Sequence, residues 1–176
     1  MFLGEAGEGI PPSAVFPLVE KEEIEKRGLT PQDVLIASLL AGLREMGVLN
    51  QAVVLLAMER AGKYLSRYAK VVNLVKSGES LEEAFETLKK VFPPSLEMNI
   101  SEENGRYVVE VKTELCKICP RAIGELELPG SLCPTVGIIK GFLEETCGVK
   151  LSPVIRNGTL VEKSEEKCKF IYEVEA

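Results

Sequence analysis

The sequence predicts an α+β fold in which helices pack on an antiparallel sheet, and two observations predict it. The first half of the chain places apolar residues at helical spacing, in segments that begin at capping residues and end at glycine or proline. The second half contains two segments that each resemble a pair of strands, around Asn104-Gly105 and Asn157-Gly158. Because hairpins give antiparallel strands, we expect N-terminal helices and one C-terminal helix on an antiparallel four-stranded sheet made of two hairpins.

The same change of pattern divides the chain. Residues 1–14 are rich in Gly, Glu and Pro and are expected to form a flexible N-terminal arm. Residues 15–94 form the helical part, and residues 95–176 form a cysteine-containing sheet-helix-sheet part. With 176 residues, of which 45% are apolar, the chain suits one domain with a single core.

The first predicted helix has Thr30 as its N-cap and Pro31 at its first position, and it closes on Gly47. Apolar residues surround most of its circumference, so we expect it to be buried on most sides, either in the core or in a subunit interface. These residues are Val34, Leu35, Ile36, Leu39, Leu40 and Leu43.

Two more helices follow before the first hairpin, and one lies between the hairpins. Asn50 caps the second helix, and Ser80 with Glu83 forms a capping box for the third, which Pro93-Pro94 ends. The last helix begins near Ser131 and closes on Gly148. Within it, Gly137 and Gly141 allow close backbone approach, to the sheet or to a dimer mate.

The composition excludes several classes of function. The chain has no histidine, which removes a haem held by a proximal histidine, His-containing zinc sites, and the Ser-His-Asp and Cys-His catalytic arrangements. A net charge of −6 argues against general attraction to nucleic acid or to anionic membranes. Arg60, Lys63, Arg67 and Lys70 do fall on one helix face, which is more often a solvated surface than a phosphate-binding stripe.

The N-terminus has neither a basic region nor a long apolar run, so we expect a cytoplasmic protein whose five cysteines are thiols. The longest uncharged stretch, residues 46–58, is well short of the ~20 residues that span a bilayer.

Three of the cysteines lie close together in the sequence, as Cys116, Cys119 and Cys133. A Cys-x-x-Cys turn can point two thiolates at one metal ion or oxidise to a disulfide, and the spacing alone does not separate these outcomes. A thioredoxin-like motif opens a helix, whereas Cys119-Pro120 leads into a loop, and a third cysteine beside another proline favours metal. Structural thiols and a redox pair stay open as alternatives.

The fourth ligand can be chosen by geometry. If one helix joins Cys133 to Cys147, the two lie ~21 Å apart at ~1.5 Å per residue and cannot share a zinc ion. Strand alternation places Cys168 on the inward face with Phe170 and Tyr172. We therefore expect a structural zinc ion held by Cys116, Cys119, Cys133 and Cys168, with Glu114, Glu125 or water as substitutes for the last.

The order of these features resembles the vinyl-4-reductase domain family, also described as predicted hydrocarbon-binding proteins. A Cys-x-x-Cys follows a strand in TELCKICP, a third Cys opens a helix in LCPTVGIIKGFLEETCGVKL, and Cys-x-Phe lies on the last strand in EKCKFIYEV. The resemblance implies a fold similar to that of the transport-particle tethering subunits, commonly dimeric, with an apolar pocket and in several members a cysteine-rich zinc site. Leu160 and Ser164 stand where the family usually has cysteine and glycine. Without histidine, the haem binding of related proteins does not carry over.

Three functions follow as hypotheses. The first is a sensory or regulatory binding module, not an enzyme, that holds a small apolar ligand and a structural zinc ion. The second is a redox enzyme that uses the cysteines as a dithiol or an iron-sulfur centre to reduce an unsaturated substrate. The third is a scaffold or regulatory subunit. The surplus of apolar residues in 34–43 and 48–58 predicts that a homodimer, an apolar ligand or both cover it.

Overall fold

The computed structural model describes residues 21–92, 97–113, 116–119 and 132–175, and it confirms the α+β class. The predicted N-terminal arm, residues 1–14, lies outside this part. The helices are α1 (Lys21–Arg27), α2 (Pro31–Glu45), α3 (Gln51–Val71), α4 (Leu81–Val91) and α5 (Pro134–Cys147). The strands are β1 (Met98–Glu103), β2 (Arg106–Lys112), β3 (Leu151–Pro153), β4 (Glu162–Lys163) and β5 (Lys167–Val174).

Three predicted helix starts are confirmed, because each capping side chain accepts a backbone N–H that the helix itself leaves without a partner. The last helix, expected to begin near Ser131, begins at Pro134 after Cys133, and Ser131 lies outside the described residues. Thr30 accepts the N–H of Asp33, whose carboxylate accepts the N–H of Thr30 at 2.8 Å. Asn50 caps α3 in the same way, and Ser80 with Glu83 forms the capping box of α4. Gly148 ends α5 in the left-handed conformation, with φ 75°.

The sheet is antiparallel, in the order β1-β2-β5-β3, with the short β4 also paired to β5. The first hairpin is confirmed, and Asn104 and Gly105 at its turn have φ 54° and 75°. The second turn is present at Asn157-Gly158, but it closes only an isolated bridge between Arg156 and Thr159. β3 and β4 instead align separately along the eight residues of β5, so the sheet has five strands among the described residues, where the sequence predicted four.

α3 and α5 come into close backbone contact at the three glycines that those helices carry. A Cβ on Gly141 would lie 1.9 Å from the carbonyl oxygen of Glu59, and one on Gly62 would lie 2.1 Å from that of Ile138. A Cβ on Gly137 would lie 2.7 Å from the Cβ of Met58. The small residues of α5 therefore meet α3 of the same chain, where the sequence pointed to the sheet or a dimer mate.

α5 is the centre of the molecule, because it contacts α3 on one side and the sheet on another. Val136, Ile139 and Phe142 are completely buried. The hydroxyl of Tyr172, on β5, donates a hydrogen bond of 2.9 Å to the carbonyl of Val136. This bond ties the first turn of α5 to the middle of the sheet, next to the N-cap residue Cys133.

α2 is less buried than its sequence predicts. Ala37, Leu40 and Ala41 are buried, but Leu35, Ile36 and Leu39 are 70%, 47% and 62% exposed. Burial of this helix on most sides within the core is therefore wrong, and burial in a subunit interface stays a prediction. α1 and α2 share a small apolar cluster of their own, made of Ile24, Leu29, Val34 and Ala37.

None of the helices in the described part of the chain is both long enough and apolar enough to cross a membrane.

Candidate functional site

The Cys-x-x-Cys segment follows β2 and is held by a side chain that no pattern in the sequence identified. The Arg27 guanidinium, at the end of α1 and only 5% exposed, donates to the carbonyl oxygen of Cys116 and, at 2.7 Å, to that of Cys119. Both ends of the turn are therefore bonded to one nitrogen of the guanidinium, Nη2. No local pattern identifies Arg27, because it lies 89 positions before Cys116.

A second contact fixes the same turn from the other direction. Lys117 donates a hydrogen bond of 2.6 Å to the carbonyl oxygen of Gly28, and its ammonium lies 4.0 Å from the carboxylate of Asp33. The segment between α1 and α2 is thus bonded to the cysteine turn through both Arg27 and Lys117. The position of α2 and the position of the turn depend on each other.

Cys133 and Cys168 reach the same region from two other parts of the chain. Cys133 is the N-cap residue of α5, directly before Pro134. Cys168 lies on β5 opposite Val111 of β2, and its sulfur is 3.7 Å from the hydroxyl of Thr113. As strand alternation predicted, Phe170 and Tyr172 on its face of β5 are buried. Cys116 belongs to the main apolar core, and Cys119, Cys133 and Cys168 pack against that core.

The thiols influence one another electrostatically. Burial foremost, and then the neighbouring thiols of Cys119 and Cys133, raise the pKa of Cys116 to about 12, while the N–H groups of Cys119 and Ile118 act in the opposite direction. Burial foremost, then Cys119 and more weakly Cys168, raise the pKa of Cys133 to about 11. Both thiols are therefore neutral at pH 7. Cys133 is therefore within electrostatic range of Cys116, Cys119 and Cys168.

The donors suit zinc in their chemistry, because thiolates are the ligands that structural zinc sites use most. Among the described residues, however, no three side chains of Cys, Asp or Glu are placed to hold a metal ion together. A bound ion would have to draw the sulfurs closer than they are. The substitutes Glu114 and Glu125 lie outside the described residues.

Cys147 stays apart from the group, and the single helix on which that prediction depended is present as α5. Its thiol is 3.6 Å from the carbonyl oxygen of Ser80, at the start of α4. Burial, together with nearby Glu79 and Glu82, raises the pKa of Cys147 to about 11. All five cysteines are free thiols. A substitution of Cys147 can therefore serve as a control for substitutions of the four predicted ligands.

The basic residues of α3 are used within the chain. Lys63 pairs with Glu59 and lies 3.6 Å from Glu144, and Arg67 binds Glu145 at 2.9 Å. Lys70 donates to the carbonyl oxygen of Glu145 at 2.6 Å. Three of the four cations on this face therefore hold α3 to α5, where the sequence favoured a solvated surface.

Lys140 completes a network of ion pairs across the glycine contact, bonded at 2.8 Å to both Glu59 and Glu144. Lys63 hydrogen-bonds Glu59 from the other side at 2.5 Å. Burial acts to raise the pKa of Glu59, but hydrogen bonds from Lys140 and Lys63 outweigh it and hold that pKa below its ordinary value. The network thus stabilises the ionised form of Glu59.

Comparison with known proteins corrects the expected family. The family model that matches is that of the MJ0207 family, over residues 47–174. The uncharacterized protein MJ1342 of Methanocaldococcus jannaschii is 43% identical over 37 residues, which are 21% of this chain and 32% of that relative. The match therefore spans about a third of the relative's length. Membership of the vinyl-4-reductase family is wrong, because the short cysteine motifs that suggested it lie inside a segment that another family model matches. The chain belongs to the MJ0207 family.

Proposed function

We propose that this protein is a non-enzymatic interaction module, a scaffold or regulatory subunit, that is stabilised by a structural zinc ion on Cys116, Cys119, Cys133 and Cys168. One observation carries the proposal. Cys133, at the N-cap of α5, lies within electrostatic range of Cys116 and Cys119 in the turn after β2 and of Cys168 on β5. Such convergence of separate chain segments is what a structural metal site stabilises, because each ligand then fixes one segment.

The surroundings of the thiols favour a structural role over redox chemistry. A reactive cysteine is a partly exposed thiolate in electropositive surroundings, whereas Cys116 is buried and its pKa is raised. The Arg27 guanidinium is bonded to the carbonyl oxygens of the turn. A zinc ion would supply the positive charge that turns these thiols into thiolates.

The distribution of apolar surface favours protein contact over a small apolar ligand. Two hollows in the described part, of about 500 and 400 Å³, are lined mainly by charged side chains, which suit a hydrocarbon poorly. Eight of the exposed large apolar side chains lie instead on α2 and α3. Large apolar areas of this kind mark interaction surfaces.

Metal analysis of the purified full chain tests the metal centre. We expect about one zinc ion per chain, lost in Cys119→Ser and Cys133→Ser together with folding stability. Cys147→Ser is the matched control, because it removes a half-buried thiol from the other end of α5, and it keeps its zinc. A colourless preparation is part of the expected result.

Two results would overturn the proposal. Iron with visible absorbance would assign the cysteines to redox chemistry. Metal-free wild-type protein, whose stability is unchanged by zinc or chelator, would leave them as ordinary core thiols.

A further inference from the structure

The outward face of α3 carries a row of apolar and aromatic side chains around Arg60, and the exposed Arg67 packs against the Tyr64 ring beside them. Val53, Leu56, Tyr64, Tyr68 and Val71 are exposed, and Leu56, Tyr64 and Val71 are 65%, 67% and 80% exposed. Arg60 lies between them on the same face and is exposed as well. We call these six residues the α3 row. Over 18 residues it spans ~27 Å at ~1.5 Å per residue.

The α3 row is symmetric about Gly62 along the helix. Val53 and Val71 are equally far from Gly62, and so are Leu56 and Tyr68, and so are Arg60 and Tyr64. The steps between neighbours are three, four, four, four and three residues, so the row keeps the same spacing when the helix is turned end to end. A surface with this property can face a second copy of itself across a two-fold axis, and such an interface requires self-complementarity.

We propose that the α3 row is a homodimer interface in which α3 packs antiparallel against α3 of a second copy, with the two-fold axis at the level of Gly62. In this register valine meets valine along the centre of the seam, and Leu56 and Tyr68 flank it on opposite sides. Arg60 lies over the partner's Tyr64, which gives two cation–π pairs by symmetry. A parallel arrangement would instead place Arg60 against the partner's Arg60, with repulsion between like charges.

The available surface fits an interface of modest size. The exposed parts of the five apolar side chains amount to on the order of 600 Å², at the upper end of the apolar patches on monomers. Two copies facing each other can therefore bury at most about 1,200 Å² in total, and 1,200 Å² is the lower limit for specific interfaces. The Arg67 guanidinium lies 5.6 Å from the centre of the Tyr64 ring within the same chain, and it also binds Glu145.

This inference rests on the proposed interaction role and names the partner, but it does not require the metal. The test is the mass of the full chain in solution, by light scattering and sedimentation equilibrium. We expect the wild type to be a dimer, and we expect Tyr64→Arg to raise its dissociation constant by about 30-fold or more. In this variant a second cation faces Arg60 of the other copy at two symmetric places. The double variant Arg60→Tyr with Tyr64→Arg exchanges the two residues and so restores a cation–π pair between positions 60 and 64 of opposite copies. Its dissociation constant should return to within about threefold of the wild-type value.

The two variants share the same crowding of residue 64 by Arg67, so the rescue reports on contact between copies. Ile155→Arg is the control, because it adds the same charge to a side chain that is 57% exposed away from α3, and it leaves the dimer intact. If circular dichroism shows that Tyr64→Arg is unfolded, Leu56→Glu replaces it, with a monomer expected. A monomeric wild type, an unweakened Tyr64→Arg dimer or a double variant without rescue would each overturn the proposal.

Zinc content measured on the same samples separates the two proposals. A zinc-containing monomer removes the dimer and leaves the metal centre. A metal-free dimer does the reverse.

Discussion

Replacement of Gly141 by alanine tests whether the contact between α3 and α5 holds the fold together. The added Cβ would lie 1.9 Å from the carbonyl oxygen of Glu59, 2.7 Å from its carbonyl carbon and 3.0 Å from its Cα. All three atoms are backbone, so no side chain can rotate away. α3 and α5 must move apart by more than about 1 Å to restore ordinary contact, since carbon and oxygen atoms rarely approach closer than ~3 Å.

The expected loss of stability follows from two opposing effects. Alanine favours a helix over glycine by about 1 kcal/mol. Overpacking in a filled core costs about 1 to 3 kcal/mol and sometimes more, and here the separation also loosens the ion pairs of Lys140 with Glu59 and Glu144. We expect the free energy of unfolding to fall by about 2 kcal/mol, which lowers the Tm of a domain of this size by about 4 to 8 °C.

Gly42→Ala in α2 is the matched control, because a Cβ there meets no atom within 4 Å. It receives the helix-propensity gain alone, so its unfolding free energy rises by up to about 1 kcal/mol. Urea unfolding followed by circular dichroism measures both variants. The reasoning is refuted if Gly141→Ala is as stable as wild type, or if the two alanine variants shift in the same direction.

Two further predictions concern the cysteine turn and the ion pairs. Arg27→Met removes the hydrogen bonds to the carbonyl oxygens of Cys116 and Cys119 and should cost about 1.5 to 3 kcal/mol of unfolding free energy, with lower zinc content. Lys26→Met, a change at the exposed neighbouring residue, should leave the unfolding free energy and the zinc content unaltered. If Lys26→Met and Arg27→Met had equal effects, a specific role for Arg27 would be contradicted. Because the folded pKa of Glu59 lies below its ordinary value of 4.5, its ion pairs contribute stability above that pH, which is lost as the pH falls through the lowered value. Urea unfolding at several pH values between about 6 and 3 should show this loss, and the unfolding free energy of Glu59→Gln should fall less steeply with pH than that of the wild type. If the two proteins lost stability in parallel, the Glu59 network would not be the source of the pH dependence.

Features decided by residues close in sequence could be predicted. The caps at Thr30, Asn50 and Ser80 each join a side chain to an N–H three residues later. The turn at Asn104-Gly105 needs only two residues with positive φ. The same reasoning placed Cys168 on the inward face of its strand and separated Cys147 from Cys133 along one helix.

Features decided by packing could not be predicted. The pattern at Gly137 and Gly141 showed that some backbone comes close, but that backbone belongs to α3, about 80 residues earlier in the chain, and the choice depends on how two helices cross. The basic residues of α3 looked like a solvated face, because only the fold brings Glu144 and Glu145 beside them. The apolar residues of α2 suggested a helix buried in the core, but part of that helix is exposed. Its burial depends on which other elements pack against it, and the sequence does not show this.

The sequence by itself therefore determined the α+β class, the beginnings of the capped helices, the first hairpin and the set of cysteines that could act together. Each of these follows from short-range hydrogen bonding or from the periodicity of a helix or strand. Only the tertiary structure decided that Arg27 holds the cysteine turn, that α3 and α5 meet at glycines, and which apolar faces are left outside. These depend on contacts between segments far apart in the chain, where sterics and burial select one partner from many that the sequence alone allows.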